Sequence, residues 1–441
     1  MQEKITIERL TYGDAGVGRS ASGKAVFVNG VAPGDVVSAE VTADKGNYLE
    51  AKLNEVLTPS PDRVTPACPL ADICGGCGWQ QVSYERQIAE KRDNVVSQLQ
   101  RVGGFAPERA QELVAACVPS KKQLGYRNKL EFSCAEVPGK GFMMGYHRKG
   151  SDEIVAPDAC PLAHKAIQRV PKAVRGALRF LNSRGDLGIY RVGIRHSART
   201  GDLEIALWTN PSGFPRAMVA KTLEQAVKAT GVVRVMTSDT GKARKLKGIE
   251  VLGGSARWRE RVGNEEFAVS APSFFQVNTA QADKLVKIAL DGLEIGENDY
   301  VADLYCGVGT FTLPMARTAE MVFAVESYGS SVRDLRRASE AAHLDNIEVI
   351  GGDAARELPE LGELDALLVD PPRAGLAAEI IGSIAEAGPT RMAYVSCNPS
   401  TWARDVKRLE EAGYELMGAT PVDMFPQTHH VEVVSHFRRT F

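Results

Sequence analysis

From about Phe267 to its end the chain alternates short apolar runs with helix-patterned segments, and few architectures accept such an alternation. Strand-length runs lie at Tyr300 to Leu304, Met321 to Glu326, Ile347 to Gly351, Ala366 to Asp370, Met392 to Ser396, Tyr414 to Met417 and His430 to Phe437. Helical periodicity fills the gaps between them. Strand–helix–strand order of this kind predicts a doubly wound α/β sheet, whose ligands lie outside the carboxyl ends of the strands. Asp303, Glu326, Asp353, Asp370 and Cys397 all fall at such ends.

The first of these strands runs into DYVADLYCGVGTF, Asp299 to Phe311. Gly307 and Gly309 suit a tight turn that lets a ligand lie against backbone. The stretch has neither the full dinucleotide fingerprint nor a P-loop lysine, so Gly-x-Gly alone specifies little. Glu326, at the end of the next apolar run, is placed to meet the hydroxyls of a ribose. Three further motifs stand near strand ends: DPPR at Asp370 to Arg373, SCNPS at Ser396 to Ser400 and HHVEVV at His429 to Val434.

Ahead of this region, residues 1–59 carry short alternating runs broken by glycine and by Pro33-Gly34-Asp35. They predict a five-strand barrel of the oligonucleotide-binding kind. The glycine spacing around VFVNGVAPGDVV resembles the TRAM domain, an RNA-binding barrel appended to RNA-modifying enzymes. Residues 60–266 then read as a central α+β domain. Ser83 to Val102 predicts a helix, with Ser83 as cap and Ile88, Val95, Val96 and Leu99 on one face. That helix has the option of packing on the C-terminal domain, residues 267–441.

Eight cysteines in 441 residues, with no secretory signal at the N-terminus, argue against a disulfide scaffold and predict a cytoplasmic protein. No run approaches the ~18 apolar residues a membrane span needs. Cys68, Cys74 and Cys77 stand as C-x5-C-x2-C, and Cys160 lies far downstream; Cys68 and Cys160 are both followed by Pro-Leu-Ala. Four thiolates suit a [4Fe–4S] cluster or a structural zinc, and the unequal spacing with a proline after a ligand fits the cluster better. Cys117, Cys134 and Cys306 read as core residues.

The net charge of −2 gives no global sign of nucleic acid, so any such signal is local. Lys121 to Gly150 holds seven Lys/Arg against two acids, and Arg234 to Arg261 eight against three. Tyr126, Phe132, Phe142, Tyr146 and Trp258 are interleaved with them, which predicts a phosphate track with stacking platforms.

Taken together, the barrel, the cysteine spacing, FFQVN, DLYCGVGTF, DPPR, SCNPST and HHVE closely resemble the RNA 5-methyluridine methyltransferases. These enzymes use S-adenosylmethionine to methylate uracil C5 in rRNA or tRNA. The resemblance covers nearly the whole chain and implies a class I, Rossmann-like methyltransferase domain behind a TRAM barrel and an iron–sulfur domain. It places Gln276, Tyr305, Glu326 and Asp370 at cofactor-contact positions and Asp353 against the adenine. It makes Cys397 the nucleophile, Glu432 the general base, and Cys68, Cys74, Cys77 and Cys160 the ligands of a [4Fe–4S] cluster. Thr310 and Asp353 stand where some members carry other residues.

The chemistry asks for these residue types. Uracil C5 is too weak a nucleophile to displace methyl from a sulfonium, and a thiolate adding at C6 turns C5 into an enolate carbon that can attack. A base then removes the C5 proton so that the thiol leaves. Cys397 needs a lowered pKa for this. The target uridine must leave its stack, and Phe274 or Phe275 is expected to line its pocket. Other classes fit less well. A radical enzyme needs C-x3-C-x2-C, a cytosine-C5 methyltransferase favours a cysteine after Pro or Thr, and a non-catalytic iron–sulfur RNA-binding protein leaves Cys397 and Glu432 unused. The expected substrate is 23S rRNA, with tRNA as the alternative, and a monomer is expected.

Overall fold

The computed structural model describes residues 2–239 and 244–440. Five strands, β1 (Gln2–Leu10), β2 (Ala15–Arg19), β3 (Ala25–Asn29), β4 (Val36–Asp44) and β5 (Tyr48–Thr58), close into a barrel in the order β1-β2-β3-β5-β4. The alternating pattern of β1 turns Ile5 and Ile7 inward against Val26, Val28 and Val37. The strand β2, AGVGR, has too few β-branched residues to stand out in the sequence. This barrel is not a tethered bead. Leu10 and Ala32 pack on Trp79 and Val82 of the next segment, and the Leu10 amide donates to the buried Glu90 carboxylate.

Helices α1 (Tyr84–Arg101) and α2 (Pro107–Leu113) follow. Ser83 does not cap α1; its hydroxyl donates to Asp62 instead. Val95, Val96 and Leu99 share a core cluster with the C-terminal sheet, so α1 is packed on that sheet although it precedes it by two hundred residues of other structure. Each such aliphatic side chain buried contributes about 1.5–3 kcal/mol.

The central sheet has β6 (Lys129–Val137), β7 (Gly141–His147), β8 (Ile154–Val155), β9 (Ile189–His196), β10 (Leu203–Thr209), β11 (Gly231–Asp239) and β12 (Arg244–Gly254), in the order β12-β11-β10-β9-β6-β7-β8. Helices α3 (Val170–Asn182) and α4 (Arg216–Ala226) cover one face. The expected stacking platforms are not on the surface. Tyr126, Phe132, Phe142 and Trp258 are buried, because strand alternation turns the aromatics in and the Lys/Arg out. Arg234 is itself buried, bonded to Thr209 and Glu250 under Phe214. Lys242, part of the second basic stretch, lies outside the described residues.

A hairpin, β13 (Trp258–Val262) and β14 (Glu265–Val269), leads into α5 (Thr279–Leu293), and its Trp258, Phe267 and Val269 join the core of the C-terminal sheet. A boundary at residue 266 therefore falls inside a strand of that core. The sheet comprises β15 (Tyr300–Leu304), β16 (Met321–Glu326), β17 (Ile347–Gly351), β18 (Ala366–Val369), β19 (Arg391–Ser396), β20 (Tyr414–Val422) and β21 (Glu432–Arg439). Its order is β17-β16-β15-β18-β19-β21-β20, with β21 antiparallel to both neighbours. Helices α6 (Thr312–Ala316), α7 (Gly329–Ala342), α8 (Ala354–Glu357), α9 (Ala378–Ala387) and α10 (Pro399–Glu411) lie between the strands. Strand order reverses between β15 and β18, and such a switch point is where ligands of doubly wound sheets bind. No helix among the described residues is long and apolar enough to cross a membrane.

Candidate functional site

Two groups of side chains meet at the carboxyl edge of the C-terminal sheet. The first is built on the turn after β15. Tyr305 has a positive φ of 62°, unusual for a residue with a Cβ, and Gly309 follows at 93°. A Cβ on Gly309 would overlap Leu335, so the turn can lie flat on α7 only with glycine there. Glu326, at the end of β16, ties the turn down: one carboxylate oxygen accepts the Gly307 amide at 3.0 Å and the other the Tyr328 amide at 2.6 Å. Asp353, after β17, is exposed and caps α8 by accepting from Ala355.

Asp303, buried at the end of β15, accepts the Thr312 hydroxyl at 2.5 Å through one oxygen and has no partner on the other. Burial, with Asp370 and Glu326 as the charges facing it, raises its pKa to about 8. This corner therefore holds several carboxyls and an orphaned buried acceptor, and the charges facing Asp303 are both negative. A cationic ligand fits that arrangement.

The second group surrounds Cys397. SCNPS folds as expected: Asn398 is extended (φ −138°, ψ 100°) ahead of Pro399, and its side chain caps α10 by accepting the Ser400 amide. Glu432 opens β21 and is only 6 % exposed, so it does not face solvent as plain strand alternation would allow. Its pKa is raised well above the carboxylate range by burial and by Asp370, with Arg373 opposing. Asp370 itself is pushed up to about 7 by desolvation. The Cys397 thiol is pushed up to about 11, by burial first and then by Glu432 and Asp370, while Arg373 pulls it down. The expectation of a lowered thiol pKa is not met in the free protein, because burial, with two carboxyls beside it, outweighs one guanidinium.

FFQVN leads into α5, and the Asn278 side chain at its end donates to the Met424 carbonyl on the approach to β21. Arg195, buried, donates to the carbonyls of Ser270, Ala271 and Ser273, and Asn128 donates to the Gln276 carbonyl. The Gln276 side chain is buried. Phe275 packs edge-on to Trp258 within the core, whereas Phe274 is 65 % exposed, so of the two only Phe274 is available to a substrate.

Cys68, Cys74, Cys77 and Cys160 line one cavity of about 60 Å³, together with Gln80, Arg127 and Tyr146. The Cys160 sulfur acts on each of the other three, and burial raises all three pKa values, Cys77 to about 12. Among the described residues no three His, Cys, Asp or Glu side chains are arranged to hold a single metal ion. Cys117, Cys134 and Cys306 are buried in cores, as expected.

Residues that the sequence reading left out complete the corner. Arg373 belongs to DPPR, and its place next to Asp370 is the signal that could have found it. Tyr12 and Asp14 of the barrel reach the corner too, and nothing in the local sequence marks them.

The tRNA (Uracil-5-)-methyltransferase family matches residues 259–439, and the TRAM domain matches residues 3–53. An uncharacterized RNA methyltransferase of Gloeobacter violaceus is 33% identical over 445 residues, 99% of this chain and 96% of that protein. One of Chlorobaculum tepidum is 35% identical over 471 residues, again 99% and 96%. Among solved structures, the Pyrococcus abyssi tRNA (uracil-54, C5)-methyltransferase in complex with S-adenosyl-L-homocysteine superposes with a TM-score of 0.75 at 25% identity, over 98% of this chain and 99% of that one.

Proposed function

The chain belongs to the RNA methyltransferase family that joins a TRAM domain to a tRNA (uracil-5-)-methyltransferase domain, and from that premise we propose that it methylates C5 of a uridine in structured RNA through a covalent Cys397–C6 adduct. The observation that carries this reading is the convergence of Cys397, Asp370, Arg373 and Glu432 beside the carboxyl-rich pocket at the switch point of the sheet.

Bound S-adenosylmethionine supplies an electrophilic methyl on a sulfonium, next to an ammonium. Asp303, with its free buried oxygen, and Glu326, with lone pairs left over from two amides, would hold its cationic and ribose groups. Gln276, Tyr305, Asp353 and Asp370 complete the proposed contacts.

Cys397 gives up its proton and adds to uracil C6. Asp370, at about 7, is the acceptor closest to neutral among the neighbouring carboxyls. Arg373 faces the charge that builds on sulfur. The addition makes C5 an enolate carbon, which takes the methyl and is left with one hydrogen. Glu432 removes that proton; a carboxylate whose pKa is raised is the stronger base for it. The C5–C6 double bond then re-forms and the Cys397 thiolate leaves. Phe274, being exposed, is the residue of FFQVN free to wall an unstacked base.

The four cysteines line one cavity and offer the all-thiolate donor set of a [4Fe–4S] cluster, and their unequal spacing favours the cluster over zinc. Such a cluster would staple the Cys68–Cys77 loop to the Cys160 segment, and no step above runs through it. Tritium release from RNA carrying 5-tritiated uridine tests the reaction, and absence of release overturns it. The sequence favours 23S rRNA; the likeness to a tRNA enzyme favours tRNA. Methyl mapping of both RNAs from cells lacking the protein decides between them.

A further inference from the structure

The barrel sends one side chain into the nucleophile corner. Tyr12 sits in the loop between β1 and β2, and its hydroxyl donates to the main-chain carbonyl of Cys397 at 3.0 Å, across 385 residues of sequence. Its ring meets His429 edge-on, with centroids 5.5 Å apart. Cys397, Arg373 and Glu432 are the charged or ionisable groups that act on its phenol, and burial holds the phenol neutral, hence a donor.

The loop that carries Tyr12 is fixed on every side. Asp14 accepts from or pairs with His429 Nδ1 at 3.0 Å. The Trp79 indole donates to the Gly13 carbonyl at 2.9 Å, and the Thr11 hydroxyl to the Ala15 carbonyl at 2.8 Å. A Cβ on Gly78 would overlap the Asp14 carboxylate, so the cysteine loop can approach this closely only because residue 78 is glycine. A surface loop whose sole task were to meet RNA would not need such seating against the segments that carry Cys397 and Glu432.

We propose that Tyr12 is a positioning residue for the nucleophile: by holding the Cys397 carbonyl it fixes the rotation of the turn after β19 and hence the direction in which the thiol presents itself to C6. The proposal rests on the covalent reading above. It also makes the barrel part of the active site, so that RNA seated on the barrel and the thiol that attacks it share one rigid frame. The carbonyl lies where β19 has ended, and the hydroxyl supplies a bond that no strand neighbour provides there.

The test is Tyr12→Phe, which keeps the ring and removes the donor. RNA carrying 5-fluorouridine traps the adduct, since C5 then has no proton to lose. With S-adenosylmethionine present, the variant is expected to form the denaturant-stable adduct about 10–100-fold more slowly, the scale of a reacting group misplaced by a fraction of an ångström to an ångström. kcat should fall with it, while KM for RNA, its salt dependence and cofactor affinity stay as in the wild type. Tyr12→Ala, lacking the ring as well, should be no faster than Tyr12→Phe. Equal adduct rates in wild type and Tyr12→Phe overturn the proposal. So does a loss confined to KM for RNA, which makes Tyr12 an RNA contact only. A wild type that forms no adduct overturns the covalent reading itself, and is distinguished because the unmodified enzyme is then the one that fails.

Discussion

Asp303 and Thr312 are 9 residues apart in the chain, and Gly307 and Glu326 are 19 apart. Those short-range bonds shape the pocket proposed for the cofactor. Along the same sheet edge, the bonds that frame Cys397 and Glu432 join residues 385, 340 and 415 apart: Tyr12 to Cys397, Gln87 to Gln427, Asp14 to His429. At one end the turn is tied down within a single βαβ unit, β15-α6-β16. The other is assembled only when the barrel, the cysteine loop, α1 and the approach to β21 have all docked. The difference separates what each end can tolerate. The cofactor end depends on local turn chemistry, the nucleophile end on the tertiary frame.

The frame has a visible hub. Gln87, wholly buried on α1, donates to the carbonyls of Trp79 and Val82 and to the Gln427 side chain, and accepts the Gln427 amide at 2.9 Å. Gln427 has φ at +73°, a strained value for a non-glycine residue that its bonds hold in place. Nearby, Lys91 pairs with Asp423 at 2.5 Å, both fully buried, and donates to the Phe425 carbonyl. The segment 423–430 thus enters β21 already fixed, and Glu432 follows directly. Removing residues 1–59 would expose Trp79 and Val82 and take the Leu10 amide from Glu90, leaving it only Arg86, so point substitutions test this frame better than truncation.

The largest effect expected anywhere in the chain separates the two catalytic residues. Cys397→Ala should lower methyl transfer by roughly four orders of magnitude or more, since C5 is never activated, and leave cofactor binding close to wild type. Glu432→Gln should allow attack and methylation but stall proton removal. A methylated RNA–protein adduct should then persist on denaturing gels, labelled from methyl-tritiated S-adenosylmethionine, and the double variant should show none. Wild-type turnover by Glu432→Gln without adduct would move the base elsewhere, with His429, His430 or a water at Asp370 next to be tried.

Next in size is Cys160→Ser. Protein purified without oxygen should carry about four irons per chain, the content of one [4Fe–4S] centre, and the variant should lose them. If the cluster only staples the frame, the variant should lose activity while a cofactor titration still saturates. Colourless, active wild type with stoichiometric zinc would overturn the assignment. Smaller again is Gln87→Leu, which strands the Gln427 amide. It should cost ~1–3 kcal/mol of stability, the penalty of a buried donor without partner, measured as a shift in urea midpoint. Its kcat should fall with little change in cofactor affinity; a fall in affinity of the same size would mean the two ends of the site are not separable.

The same contrast explains what could be read from the sequence. The strand ends carrying Asp303, Glu326 and Asp370, the extended Asn398 before Pro399, and the spacing of Cys68, Cys74 and Cys77 are local patterns, set by periodicity, turn chemistry and spacing. The errors came where tertiary packing decides. Aromatic residues among Lys and Arg look like stacking platforms until strand alternation buries Phe132 and Trp258. Phe274 and Phe275 look alike until one faces Trp258 and the other solvent. Ser83 has a partner better than its own helix. Tyr12 sits in an unremarkable turn, and no periodicity can say that a barrel loop will reach the other end of the chain.

The last test returns to the cofactor end, where it asks whether Asp303 is held protonated among carboxyls as described. Asp303 has an ordinary pKa near 3.8 when unfolded and about 8 when folded. Below about pH 4 both states are protonated there and the stability is fully present. Between about 4 and 8 the folded state keeps a proton that the unfolded state has lost, so stability falls as pH rises, by ~1.4 kcal/mol per pH unit for one proton. Asp370, raised to about 7, adds to the slope over the lower part of that window. Asp303→Asn keeps the carbonyl that accepts from Thr312 and removes the titration. The ligand-free variant should match the wild type near pH 4 and exceed it at pH 8, with a correspondingly flatter slope in urea midpoint against pH. Added S-adenosylmethionine should reverse the order, because an ionised Asp303 then has a cation to face and the amide does not. Identical slopes with and without the carboxyl would show that Asp303 is already ionised and satisfied in the free protein, and the pocket would then need no cationic ligand to complete it.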